Sequence, residues 1–126
     1  MAEVLDVGTT QVKGRVTGPA GSAEVEFLVD SGALYSLIPE PVWRDLGLKA
    51  KRVERFALAD GTHIERSVGE CVVAFPELGV TTTPVILGEP GDVALLGVVT
   101  LEELGLVLDP LTRKIHHARH LLLRVG

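Results

Sequence analysis

Twice along this chain an apolar run meets a glycine turn, and twice the segment that follows closes on Leu-Gly-Leu. The first instance is Val29-Asp30-Ser31-Gly32, followed by a short helical pattern that ends at Leu46-Gly47-Leu48. The second is Leu95-Leu96-Gly97, followed by a pattern that ends at Leu104-Gly105-Leu106. Each half reads as strand, turn, helix, Leu-Gly-Leu. Two related half-motifs about a local pseudo-symmetry axis explain the recurrence; chance in a chain rich in Leu and Gly is the other explanation. The 126 residues fit one domain, 1–126, and leave little room for two. A chain of this length buries roughly two-thirds of the surface its unfolded form exposes, enough for a modest core. The 14 Gly and 7 Pro point to many short elements joined by tight turns.

The elements follow from local pattern. Val4–Val7 and Val12–Thr17 read as strands, and Gly18 to Ser22 as a turn. From Glu24 to Val29 an alternating pattern becomes continuously apolar, which suits a strand that starts at the surface and ends inside, just before Asp30. Pro39–Leu46 reads as a short helix with prolines in its first turn and Gly47 as its stop. Val53–Leu58 and Thr62–Ser67 flank Ala59-Asp60-Gly61, and Asp-Gly between extended segments signals a hairpin. Cys71–Phe75, Val80–Leu87 and Val93–Leu96 read as further strands. Thr100–Leu104 reads as a second helix, with Thr100 and Glu103 at capping-box spacing and Gly105 ending it. Leu106–Leu108, Lys114–His116 and Leu121–Val125 complete the chain as strands.

Composition removes several function classes. The net charge of -5, with no long Lys/Arg run and no basic stripe interleaved with aromatics, argues against a nucleic-acid partner. The single cysteine, Cys71, allows no intrachain disulfide and reads as a core thiol in an apolar strand. The N-terminal residues lack the basic and apolar regions of a signal peptide, and no apolar run reaches membrane-spanning length. The expectation is a soluble cytoplasmic protein with no membrane partner.

The segment that carries chemistry is Phe27-Leu28-Val29-Asp30-Ser31-Gly32-Ala33. It places a carboxylate at the end of an apolar strand, where an ionised group is costly without partners. An Asp opening an ordinary turn, with Ser and Gly serving its geometry, is the plain alternative. The segment resembles the Asp-Thr/Ser-Gly-Ala motif of the retropepsin-like aspartic proteases. Ser36 stands where that family usually has Thr or Ser, Leu95-Leu96-Gly97 resembles its second apolar-apolar-Gly motif, and Ala59-Asp60-Gly61 falls where its flap tip would be. In order and spacing the resemblance covers most of residues 12–110.

The resemblance implies an all-β, small closed barrel-like acid-protease half-domain with two short helices, pseudo-symmetric and paired as a homodimer. It implies Asp30 as the catalytic residue, with Ser31, Gly32, Ala33, Ser36 and Gly97 supporting the site. Leu34, Ala59, Asp60, Gly61 and Val98 are the expected substrate-binding residues, and an extended polypeptide is the expected substrate. No cofactor or metal is implied. The chemistry needs two carboxylates that share one proton, and this chain has one such motif. Asp60-Gly61-Thr62 lies in a polar hairpin too soon to begin a second lobe, and Asp92 and Asp109 are expected in loops without the motif, so the second carboxylate must come from another copy.

Two departures stand out. Retroviral members commonly pair an Asp at the place of Leu34 with an Arg at the place of Val98, and here both are apolar. Viral members also dimerise through short terminal strands, whereas this chain continues from Arg113 to Gly126. A non-catalytic dimeric peptide-binding module on the same fold is the competing reading, and an unrelated small β domain is a third. His116, His117 and His120 read as a solvated polar stretch rather than a metal site, since Lys114-Ile115 is strand-like and no Glu intervenes. His63 reads as an exposed turn histidine, and Trp43 as packing the first helix on the sheet.

Overall fold

The computed structural model describes residues 5–6, 11–109 and 114–118. In chain order the elements are β1 Leu5–Asp6, β2 Gln11–Gly18, β3 Gly21–Val29, β4 Ser36–Ile38, α1 Glu40–Asp45 and β5 Arg52–Ala57. They continue as β6 His63–Phe75, β7 Gly79–Leu87, β8 Leu95–Leu96, α2 Val98–Glu103, β9 Leu106–Asp109 and β10 Lys114–His117.

Seven strands run in the order β2-β3-β8-β4-β7-β6-β5, and β2 also pairs with β6 at Arg15↔Ala74, Val16↔Val73 and Thr17↔Val72. That last pairing closes β2, β3, β8, β4, β7 and β6 into a six-stranded barrel. β5 remains outside the closure and forms a hairpin arm with the first half of β6, from Arg52↔Val68 to Ala57↔His63. A second small sheet, β1-β10-β9, is antiparallel throughout.

The core follows from period-two alternation. Val25, Phe27 and Val29 turn inward from β3, and they meet Val16, Val73, Phe75, Val85, Ile38 and Leu96. Phe27 and Phe75 meet edge-on, with ring centroids 5.5 Å apart. Burying a side chain of this size contributes roughly 1.5–3 kcal/mol. Neither six-residue helix is long enough to hold itself together in water, so packing must hold it. Trp43 of α1 packs against the core, and its indole Nε1–H donates to the Gly88 carbonyl at 2.9 Å.

The repeated pattern in the sequence is a real internal two-fold. β3 runs parallel to β8 at Leu28↔Leu95 and Val29↔Leu96, while β4 runs parallel to β7 from Ser36↔Val85 to Ile38↔Leu87. Between these pairs β4 and β8 meet antiparallel at Leu37↔Leu95. Exchanging β3 with β7 and β8 with β4 maps the arrangement onto itself. The Asp30 N–H bonds the Leu96 carbonyl at 3.0 Å, and the Gly88 N–H bonds the Ile38 carbonyl at 2.9 Å. Both helices end on a Leu followed by a left-handed glycine, Gly47 at φ 71° and Gly105 at φ 75°.

Four expectations need correction. Thr62–Ser67 and Cys71–Phe75 belong to one 13-residue strand, β6. It stays continuous past Gly69, where a Cβ would lie 2.8 Å from the Lys49 carbonyl. β4 was not expected; three residues give too short a pattern to read, and the strand exists because β7 and β8 flank it. The second helix begins at Val98, with Gly97 as its N-cap and no side-chain cap, so Thr100 is an interior residue. Asp109 ends β9 rather than lying in a loop. Of the expected strand Val4–Val7, Leu5 and Asp6 are described; Leu121–Val125 lies outside the described residues.

Candidate active site

β3 delivers Asp30 to the end of the barrel and the chain then turns sharply. The turn closes with the Ala33 N–H on the Asp30 carbonyl at 3.2 Å. The Gly32 N–H donates to Asp30 Oδ1 at 2.9 Å, which orients the carboxylate. Asp30 is half-buried, while Ser31 and Gly32 are exposed. A charged group is thus held at a water-accessible mouth, which avoids the cost of full burial.

The other half-motif braces this loop. The first two N–H groups of α2 donate to it, Val98 to the Ala33 carbonyl and Val99 to the Leu34 carbonyl, both at 2.9 Å. These donors have no partner inside a helix, so the loop satisfies them. Such close approach requires glycine at position 97. A Cβ there would lie 2.5 Å from the Tyr35 carbonyl carbon and oxygen and 2.9 Å from the Ala33 oxygen. The Gly97 N–H donates to Ser36 Oγ at 3.0 Å. Ser36 Oγ lies 2.6 Å from Thr100 Oγ1, which lies 2.9 Å from Thr83 Oγ1, and all three residues are fully buried. Hydroxyls can donate and accept at once, so this chain of three satisfies its members in an apolar surround.

The β5–β6 hairpin tip spans Leu58–Thr62. Leu58 N–H bonds the Thr62 carbonyl at 2.7 Å, and Gly61 N–H bonds the Leu58 carbonyl at 3.0 Å. Asp60 Oδ1 accepts from the Thr62 hydroxyl at 2.6 Å and the Thr62 N–H at 3.0 Å. These bonds, the hydroxyl's first, hold the Asp60 carboxyl below its usual range. Asp60 is therefore occupied with its own turn. Asp92, which precedes the second half-motif, is held by Arg66 at 3.3 Å and by the Glu89 N–H at 2.8 Å. The internal counterpart of Asp30 is Gly88, so the repeat supplies no second carboxylate.

An apolar groove of about 260 Å³ opens at Gly32-Ala33. Its walls include Leu34, Tyr35, Leu37, Phe56, Ile64 and Ile86. Of the expected substrate-binding residues, Leu34 lines it, and is 54% exposed. Ala59, Asp60 and Gly61 lie at the exposed tip beyond it, and half-buried Val98 reaches the loop through its backbone. Sequence reasoning did not find Tyr35, Phe56, Ile64, Ile86, Thr83 or Thr100. The even spacing of Glu54, Phe56 and Leu58 signalled a shared strand face; the hydroxyl network had no local signal. A larger cavity, of about 480 Å³, is lined by residues such as Trp43, Arg44 and Glu65 and includes no part of the Asp30 loop.

Residues 12–100 match the family model described as aspartyl protease. The fold is similar to the crystal structure of a retropepsin-like aspartic protease from Rickettsia conorii. That match has a TM-score of 0.55 at 18% identity and covers 92% of this chain and 98% of that one. At this identity the likeness is one of fold. A search among curated proteins gave no match. The chain belongs to the aspartyl protease family and has the retropepsin-like fold that its motifs resembled. Among the described residues no group of three or more His, Cys, Asp or Glu is placed to hold a metal ion, and no helix is long and apolar enough to cross a membrane.

Proposed function

We propose that this chain is an aspartic endopeptidase that acts as a homodimer, with one Asp30 from each copy forming the catalytic pair. The observation that carries the reading is the single oriented carboxylate. Asp30 is oriented by the Gly32 N–H and its loop is braced by α2, whereas Asp60 and Asp92 are engaged by Thr62 and Arg66.

Two carboxylates across a two-fold axis cannot both ionise at close range, so the pair holds one proton between them and titrates as a unit. The ionised member takes a proton from water, and that water's oxygen attacks the scissile carbonyl. The protonated member donates its proton to the developing oxyanion. The proton taken from water then passes to the leaving amine as the C–N bond breaks. In this reading Ser31, exposed beside Asp30, supplies the hydroxyl that hydrogen-bonds across the axis and steadies the pair. The β5–β6 arm acts as the flap, and an extended polypeptide lies beneath it with alternate side chains directed into grooves. Leu34 and Val98, apolar where viral members carry an ion pair, leave no buried charge unpaired.

Asp30→Asn tests the mechanism. It keeps the Gly32 bond, because the amide oxygen still accepts, but cannot share the proton. Cleavage of an unstructured polypeptide, measured across mildly acidic to neutral pH, should disappear while sedimentation shows the dimer unchanged. Undiminished cleavage by this variant overturns the reading. Peptide binding without cleavage by the unmodified protein favours the non-catalytic module on the same fold.

A further inference from the structure

We infer that Tyr35 is the residue that sets substrate selectivity in the groove beside Asp30 and ties the flap strand to the catalytic loop; this rests on the proposed protease reading. Tyr35 closes the bend that follows the Asp30 turn, and Ser36 begins β4. Ser36 enters the core, and Tyr35 enters the groove.

The phenol uses both of its hydrogen-bonding capacities on β5. It accepts from Arg52 Nη2 at 3.2 Å and donates to Glu54 Oε1 at 3.2 Å, while Arg52 and Glu54 pair directly at 3.4 Å. The Tyr35 ring meets Phe56 edge-on at 5.8 Å with an interplanar angle of 85°. Arg52, Glu54 and Phe56 alternate along β5 and share one face, and that face docks on this single side chain of the Asp30 loop.

The arrangement divides the tyrosine into two functions. Its hydroxyl points to Arg52 and Glu54, neither of which lines the groove, so the groove meets the ring alone. The ring and Phe56, in edge-on contact, line the groove together with Leu37, Ile86 and Leu95. An apolar side chain of the extended substrate fits this space, and the Tyr35 ring limits its size. The polar triangle is partly exposed and contributes little stability, as surface ion pairs generally do, but it fixes where β5 stands over the loop.

The test uses the full chain and a series of otherwise identical peptides carrying Val, Leu, Phe or Trp at one position. Tyr35→Ala should shift preference from Val and Leu toward Phe and Trp by about tenfold in relative kcat/KM, chiefly through KM, the scale on which pocket size discriminates. Tyr35→Leu, which keeps an apolar wall, should shift it less. Tyr35→Phe keeps the ring and should preserve the ranking while raising KM for every peptide. An unchanged ranking in Tyr35→Ala, or an equal shift in Tyr35→Phe, overturns the inference. The same series is measured as binding to Asp30→Asn protein with and without the Tyr35 substitutions. A shifted binding preference there, with no cleavage by the unmodified protein, sinks the catalytic reading and leaves Tyr35 as the determinant of which peptide is bound. Absence of any peptide binding sinks both.

Discussion

Cys71 shows how strongly one position can be set by its surroundings. Its side chain turns into the barrel from β6, and burial pushes the thiol up to about 12, with the charge of Glu70 adding to the shift. The neutral thiol is the form that folding favours. In the unfolded chain the group ionises near its ordinary value of 9.0. A folded-state value above the unfolded one contributes stability that is complete below that ordinary value and declines as pH rises toward the folded value. The melting temperature should therefore fall between about pH 9 and pH 12, and Cys71→Ala should flatten part of that fall while lowering stability at neutral pH. Thermal melts across this range check the sign; an identical alkaline profile in the variant would remove Cys71 from the account. The same burial should keep the thiol unreactive toward alkylating reagents at neutral pH until the protein is unfolded.

At the scale of elements, α2 is the piece that converts a local motif into a site. Its N-terminal amides hold the Asp30 loop, and Thr100 fixes the helix to Ser36 and Thr83. Thr100→Val keeps the shape and removes the hydroxyl, leaving two buried hydroxyls short of a partner, at a cost of about 1–3 kcal/mol. Thr100→Ser keeps the hydroxyl and should recover part of that loss. Chemical denaturation compares the two; a valine variant as stable as the parent would mean the network adds nothing. This network also marks where the sequence stopped being legible. The Asp30 loop, the Leu-Leu-Gly brace and the hairpin tip are local patterns, and they were readable as such. Thr100 imitates a helix cap because Glu103 follows at the right spacing, yet its partners lie 64 and 17 residues away. Tertiary pairing decided its place. β4 and the groove escaped for the same reason, since each is defined by neighbours from several elements rather than by its own residues.

At the scale of the whole molecule, closure of the barrel and the internal two-fold leave one question, which the proposed dimer would answer. The local axis pairs Asp30 with Gly88, and the carboxylates of Asp60 and Asp92 are engaged by Thr62 and Arg66. A chain so built can hydrolyse a peptide bond by shared-proton chemistry only if a second copy brings its own Asp30 to the first. Subunit mixing tests this directly. Equal amounts of unmodified and Asp30→Asn protein, exchanged to equilibrium, give the two homodimers and the mixed dimer in the statistical ratio 1:2:1 when the two copies associate equally well, as expected for an isologous pair, leaving about one quarter of dimers with two aspartates. If the pair is the catalyst, total activity should fall to about that quarter of an equal number of unmodified dimers. If each chain works alone, activity should stay at about half, because half the chains retain Asp30. Native mass spectrometry with one of the two proteins isotopically labelled confirms that exchange has occurred, so the two outcomes separate on a single titration of variant against parent. Activity falling as the square of the unmodified fraction identifies a shared site; a linear fall places the whole of catalysis within one chain and removes the dimer from the mechanism.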